Sequence, residues 1–323
     1  MSRGVSLVVP TRNAGPEFPQ VLERMLDQEL DRDLEVLVID SGSTDGTVEH
    51  LETRPVRLIE IPPADFNHGL TRNRGIAEAR GEIVALATQD ALPADRHWLQ
   101  RLVDCFADPQ VAGAYSRQLP RPDAGPFIRD RLSRWMAAAR EPRVQAVSSG
   151  EDLAALPPLE KLARAAFDNV SSAVRRRVAL KIPFRELAFG EDLDWGYRVL
   201  QAGYRIVFEP RSLVVHSHRH STWYEFRRVY LDHQNLHRLF GVHTVPRLRD
   251  VAAGTAAAVR HLWRVVGDEP GLGAAERLAW RARALSFGFS QSLAQYLGAR
   301  SVRRLERGGV GARLLDRALR RGV

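Results

Sequence analysis

Apolar residues in the first hundred positions switch between two periods, and the switching predicts the elements. Residues 5–10 (VSLVVP) and 34–40 (LEVLVID) are short runs rich in β-branched side chains, as expected of buried strands. Between them Phe18, Val21, Leu22, Met25 and Leu26 recur at spacings of three and four, the period of a helix with one apolar face. The unit then repeats. Thr47–Leu51 begins a second helix, Val56–Ile61 a strand, Leu70–Arg80 a helix stopped by Gly81, and Ile83–Ala87 a strand running into Thr88, Gln89 and Asp90. Such alternation predicts an α/β fold, a Rossmann-like mostly parallel sheet with helices on both faces. Ligands of such sheets lie beyond the carboxyl ends of the strands, which here carry Pro10-Thr11-Arg12-Asn13, Asp40-Ser41-Gly42-Ser43 and Gln89-Asp90.

After a helix at Trp98–Phe106 the pattern breaks. Residues 119–126 (LPRPDAGP) hold three prolines and 148–158 form a second turn-rich stretch, so 115–165 reads as loops and short helices over the sheet edge. Regular patterning resumes at Val170–Val178, then in a helix from Glu191 to Ala202 ended by Gly203, and in strands at Tyr204–Glu209 and Leu213–His216. Beyond Tyr224 only helical spacing remains: Leu278, Ala282, Leu285, Phe289, Leu293 and Tyr296 share one predicted face. The expected organisation is a domain over 1–230 and a basic amphipathic helical extension over 231–323.

Composition narrows the classes. The 323 residues, 44% hydrophobic and 27% charged, can fill one large core or two modest ones. No apolar run reaches the ~18 residues of a membrane-spanning helix, and the first ten residues carry no leader pattern, so a cytoplasmic protein is expected. The single cysteine, Cys105, excludes an internal disulfide and a multi-thiolate zinc site. The net charge of +8 is uneven: residues 219–323 hold 19 basic and eight acidic side chains, whereas 1–218 hold 28 and 31. All the basic residues but Lys161 and Lys181 are arginine, which a GC-rich genome would also produce. Two readings of the basic tail stay open, a helical cap with solvated arginines and a peripheral membrane contact suited to a lipid-linked acceptor. A nucleic-acid partner is not expected, because the arginines interleave with Leu, Phe and Trp at helical spacing instead of forming a stripe.

Several side chains could carry chemistry. No GxGxxG follows the first strand and no GxxxxGK[ST] occurs, so the usual dinucleotide and phosphate-loop devices are missing. Asp40 could accept a hydrogen bond from a base or ribose, or simply build the turn before Gly42; Asp45 reads as a helix cap. Asp90 ends a buried strand, where a carboxylate needs a positive partner. A divalent cation on diphosphate oxygens would supply one; a turn aspartate is the plainer alternative. Arg72 could grip a phosphate or lie on the surface. Glu191, Asp192 and Asp194 start a helix, where the dipole alone accounts for one or two of them. Asp192 is the candidate general base for a sugar hydroxyl, with Glu191 as substitute. His216, His218 and His220 share one side of an extended chain, either as metal and phosphate ligands or as packed imidazoles.

Together these stretches resemble a known family. VVPTRN (8–13), VIDSGSTDGT (38–47), FNHGLTRNRG (66–75), ATQDALP (87–93) and EDLDWGYRVLQAGYRI (191–206) are similar to the motifs of family 2 inverting glycosyltransferases. FNHG, TQDA, YSRQLPRPDAGP (115–126), FDNVSSAVRR (167–176) and HSH (216–218) resemble its rhamnosyltransferase branch. The resemblance covers residues 5–230. It implies a GT-A fold, a dTDP- or UDP-sugar donor, Mg2+ or Mn2+, and inverting transfer of a hexose or deoxyhexose, rhamnose favoured, to a glycan or lipid-linked acceptor. Carried over by residue, Pro10, Thr11, Arg12, Asp40, Arg72, Gln89 and Asp90 would hold the donor. Asp90 and His218 would bind the metal, and Asp192, backed by Glu191, would be the base. Arg117, Gln118, Asn169 and Trp195 would touch sugar or acceptor. The family's usual Asp-x-Asp is here Thr88-Gln89-Asp90, which leaves one carboxylate for the metal. Two rivals remain: a sugar-1-phosphate nucleotidyltransferase, which lacks its glycine-rich, lysine-bearing signature here, and a nucleic-acid-binding protein using the basic tail.

Overall fold

The computed structural model describes residues 4–148, 152–218 and 220–320. The chain forms two compact units, Met1–Pro122 with Leu132–Ser217, and Asp123–Arg131 with His218–Val323. The strands are β1 (Val5–Thr11), β2 (Leu34–Asp40), β3 (Arg57–Glu60), β4 (Ile83–Ala87), β5 (Leu92–Pro93), β6 (Val111–Leu119), β7 (Arg143–Gln145), β8 (Ser171–Arg175) and β9 (Arg205–Val215). The helices are α1 (Phe18–Leu26), α2 (Thr47–Glu52), α3 (His68–Glu78), α4 (Trp98–Asp104), α5 (Pro126–Ser133), α6 (Pro158–Arg164), α7 (Arg176–Lys181), α8 (Glu191–Gln201), α9 (Thr222–Phe240), α10 (Asp250–Asp268), α11 (Ala274–Glu306) and α12 (Val310–Arg320).

In the first unit the strands join one sheet in the order β3-β2-β1-β4-β8-β6-β9-β5, with β7 also on β9. The alternation read from the sequence shows in the packing. Leu7 and Val9 face a core with α1 and α4 (Phe18, Leu22, Met25, Trp98, Leu102), while Val8, Leu37 and Ile39 face another with α3, α7 and α8 (Ile76, Val178, Trp195). The sheet is parallel from β3 to β4, but β8 enters antiparallel between β4 and β6, so it is mixed where a mostly parallel sheet is expected. The reversal positions the site: Ser171 pairs with Ala87, so residues 168–170 meet the carboxyl end of β4.

Three local differences have physical causes. The stretch expected as loops from 115 contains most of β6, whose sequence VAGAYSRQL is too small-residued to read as a strand. A Cβ on Gly113 would sit 2.9 Å from the rings of Phe167 and Trp195, so small residues there make room for the core. Trp195 is therefore not a sugar contact: it has no exposure, lies 4.7 Å from Phe167 and 5.3 Å from Phe184 between ring centres, and its indole donates to the Ile182 carbonyl at 2.8 Å. The two strands expected around 204–216 are one, β9, with a register shift opposite Ser116/Arg117 that turns Ser212 inward to Ser116 and the Trp98 carbonyl.

The second unit is helical. α9 runs unbroken through residue 230, so the compact unit divides at 217/218 and also takes in 123–131, unlike the expected boundary at 230. The buried residues of α11 are mostly small, among them Ala284, Gly288, Ser292, Ala294, Gly298 and Ala299; of the face expected from spacing, Tyr296 is buried and Leu293 half-buried. Leu278, Leu285 and Phe289 are exposed. Small residues win because the helices approach closely: a Cβ on Gly298 would meet the Tyr230 carbonyl at 2.3 Å. Tyr230 and Gln234 of α9 donate to Asp316 of α12 at 3.0 and 2.8 Å, a buried polar link between helices. Among the described residues no helix is long and apolar enough to cross a membrane.

Candidate active site

The carboxyl ends of β1 and β2 are tied into one platform. The Asp40 carboxylate, fully buried, accepts from the Thr11 hydroxyl at 2.8 Å, the Gly42 and Ser43 amides at 2.9 and 2.8 Å, and the Ser43 hydroxyl at 2.5 Å. A carboxylate offers about four acceptor sites, so contact between Asp40 and a base requires one hydroxyl to give up its bond. Asn13, left-handed at φ 45°, has its side-chain oxygen on the Thr44 amide at 2.8 Å, and Asp45 accepts from the Gly15 amide at 2.9 Å besides its Thr47 contacts. Asp45 thus braces two loops as well as its helix start. Gln89 clasps the Arg12 backbone, accepting from its amide at 2.8 Å and donating to its carbonyl at 3.3 Å. The Arg12 side chain is exposed and Pro10 half-buried.

The acidic residues converge from separate stretches of chain. Gly190, left-handed at φ 74°, turns the backbone into α8, so that Glu191 and Asp192 open the helix. The Asn169 amide donates to Asp192 at 3.3 Å. Next to it, Asp168 accepts from the Gln118 side chain at 2.5 Å, the Trp135 indole at 2.8 Å and the Val170 amide at 3.0 Å. The Gln118 side-chain oxygen faces His216 Nδ1 at 3.3 Å, and His216 Nε2 lies 3.5 Å from Asp90 Oδ2. Asp192, Asn169, Asp168, Gln118, His216 and Asp90 therefore form one connected series along a single edge of the sheet.

Burial raises the pKa of Asp192 well above the ordinary carboxylate value, and the charges of Glu191 and Asp168 push the same way; the Leu193 and Asn169 amides oppose them. A carboxylate held against ionisation by its surroundings is a stronger base than one in water once it has lost its proton.

Arg72 differs from the expectation of a phosphate-gripping side chain. It is buried, its guanidinium paired with Glu191 at 2.8 Å and donating to the His68 and Asn169 carbonyls at 3.1 and 3.4 Å. A direct phosphate contact would break a buried ion pair, so Arg72 here fixes the start of α8. The same pair commits Glu191, which is correspondingly poor as a substitute base. Asp194 is held by Arg198 at 2.7 Å and Arg185 at 3.2 Å. Arg117 is half-buried, its Nε without a hydrogen-bond partner. His218 opens the second unit, its ring stacked on His220.

Sequence reasoning passed over Asp168 and did not assign to the metal His216, which lies beside Asp90. The position of Asp168 directly after the apolar run Ala165-Ala166-Phe167 is a signal of a carboxylate at the end of buried chain. For His216 the signal is that it directly follows β9, as Asp90 follows β4.

Residues 6–150 match the family described as Glycosyl transferase family 2. Over 236 residues the chain is 33% identical to the O-antigen chain rhamnosyltransferase RfbN of Salmonella typhimurium, covering 70% of each protein. It is 30% identical over 228 residues to the O-antigen chain rhamnosyltransferase WbaN of Salmonella anatum, again covering 70% of each. Among solved structures, residues 1–349 of S. aureus TarS in complex with UDP-GlcNAc share the fold at a TM-score of 0.52 and 16% identity, over 93% of this chain and 92% of that one. With its mixed, helix-covered sheet and acidic edge, the chain belongs to glycosyl transferase family 2.

Proposed function

We propose that the protein transfers a deoxyhexosyl group, rhamnosyl in the first instance, from a dTDP- or UDP-sugar to a glycan or lipid-linked saccharide, with inversion at the anomeric carbon. The observation that carries the reading is the convergence of Asp192 and Asp90 on one edge through Asn169, Asp168, Gln118 and His216. Similarity to two O-antigen chain rhamnosyltransferases favours rhamnose. In the reaction the Asp192 carboxylate takes the proton of the acceptor hydroxyl. That oxygen bonds to the anomeric carbon as the bond to the diphosphate oxygen breaks, and the electron pair leaves with the nucleoside diphosphate. One displacement inverts the centre, and no second nucleophile is required.

Thr11, Asp40, Arg12 and Gln89 shape the platform for the nucleoside, and Arg117, Gln118 and Asn169 surround the transferred sugar. The site also suits a divalent cation. With the Gln118 oxygen on Nδ1, a neutral His216 carries its proton there and turns the Nε2 lone pair toward Asp90. The two atoms, 3.5 Å apart, are close enough to share one cation. Asp90 and His216 would hold Mn2+ or Mg2+, with His218, two residues on, as a further ligand. Such an ion supplies charge neutralisation for the leaving diphosphate. Exposed Val310, Leu314 and Leu315 among the arginines of α12 favour contact with an anionic membrane carrying the acceptor.

The test is thermal unfolding with a panel of nucleotide sugars, with and without Mn2+. A dTDP- or UDP-sugar should raise the melting temperature, more so with metal, and Asp90→Ala should remove the metal-dependent part. No protection by any nucleotide sugar would overturn the reading.

A further inference from the structure

A cavity lies wholly within the helical unit, and its lining differs from the acidic edge in chemistry. It encloses about 430 Å³, within the range of small-ligand sites. One wall is aromatic. Phe127 meets Trp280 edge-on with ring centres 5.0 Å apart and Phe287 at 5.2 Å. Trp280 comes this close only because residue 125 is glycine, where a Cβ would sit 2.6 Å from the indole. Phe127 is buried, whereas Trp280 and Phe287 are half-buried and face the cavity.

The remaining lining includes polar side chains held in place. Glu225 is buried and paired with Arg131, whose second contact is 3.4 Å. His220 stacks on Tyr224 with ring centres 3.9 Å apart. The charged lining residues are Arg131 and Arg283 against Asp123 and Glu225, which balance. A cavity with balanced charge, an aromatic wall and polar side chains held in place does not match a diphosphate. It matches an uncharged ring with one C–H face and hydroxyl edges.

Connectivity links this cavity to the reaction. Its walls include Asp123 and His220, five residues after Gln118 and four after His216, on the two segments that continue from β6 and β9. We propose that this cavity binds a saccharide ring of the acceptor, seated against Trp280 and Phe287 with its hydroxyls toward Arg131, Glu225 and His220. The assignment rests on the glycosyltransferase reading above and deepens it: the helical unit selects the acceptor, the sheet edge holds the sugar donor.

The test is ligand-observed saturation-transfer NMR on the full chain, titrated with methyl glycosides of rhamnose, mannose and galactose and with inorganic pyrophosphate. At least one glycoside should bind and not be displaced by pyrophosphate. Trp280→Ala should weaken it about tenfold, the scale of one aromatic contact, and Trp280→Phe by much less. Gly125→Ala, which presses on the indole from the backbone, should also weaken it, and keeps the test valid if Trp280→Ala does not fold. Absence of glycoside binding, displacement by pyrophosphate, or equal binding by the folded Trp280 and Gly125 variants would overturn the proposal. Nucleotide sugars titrated into the same samples separate the two readings. Glycoside binding that depends on Trp280, without any nucleotide-sugar binding, would sink the enzymatic reading alone; the converse would sink the cavity alone.

Discussion

Glu191→Gln probes the brace beneath the proposed base. Arg72 Nη1 and Glu191 Oε1 are 2.8 Å apart, with only 4% and 8% of their side chains exposed. The amide keeps the shape and an acceptor oxygen but leaves the Arg72 guanidinium buried without its counter-charge. Breaking a buried pair from one side costs about 3–5 kcal/mol. Because the substituted oxygen still accepts a hydrogen bond, the lower end, ~3 kcal/mol, is expected, a large part of the ~5–15 kcal/mol that holds a domain together. At about 2–4 °C per kcal/mol, the melting temperature should fall by roughly 6–12 °C. Arg72→Met should cost a similar amount, and the double variant should recover most of the loss, since neither charge is then stranded. Urea or thermal unfolding of the four proteins measures this. A Glu191→Gln variant within ~1 kcal/mol of wild type, or strictly additive losses, would refute the reasoning. The same substitution has a catalytic readout. The Glu191 charge helps raise the Asp192 pKa, so its removal should move the acid limb of kcat/KM to lower pH; an unmoved limb would break the link between the pair and the base.

Three further outcomes follow from the geometry. In wild type the acid limb should lie above the ordinary carboxylate value of about 4, because burial and two neighbouring charges disfavour ionised Asp192. The sign of its effect on stability is opposite: the protonated form suits the fold, so its contribution is present below the unfolded pKa and is lost as pH rises through the folded one. Asp192→Asn should accordingly unfold at a higher temperature than wild type at pH 8, with the difference closing toward pH 4; equal melting at both would contradict the desolvated carboxylate. Gly298→Ala places a Cβ 2.3 Å from the Tyr230 carbonyl and should destabilise the α9–α11 packing by about 1–3 kcal/mol, read by urea unfolding; an unchanged midpoint would mean that the helices are not in close contact.

The sheet was legible where burial imposed a period. Val5–Thr11, Leu34–Asp40 and Ile83–Ala87 are predominantly apolar runs, and their carboxyl ends carry the loops of the site. β6 was not, because its packing demands Gly113 and alanines beneath two large rings, and small residues carry no periodic signal. The same logic hid the buried face of α11, where close approach selects Gly and Ala over the large side chains that spacing favours. Trp195 misled for the opposite reason: a tryptophan within an acidic motif looks like a ligand platform, yet its neighbours Phe167 and Phe184 come from other stretches of chain. Asp192 and Asp90 stand out in the sequence as candidates by their places at a helix start and a strand end. Their connection through Gln118, Asp168 and His216 does not, since it depends on β8 entering the sheet antiparallel.

Asp192→Asn in a transfer assay tests the central claim most directly, with sugar-donor affinity measured on the same preparation. Loss of the base should lower kcat by roughly 10²–10⁴-fold while nucleotide-sugar binding stays within about twofold. Transfer by the variant at close to the wild-type rate would contradict the account.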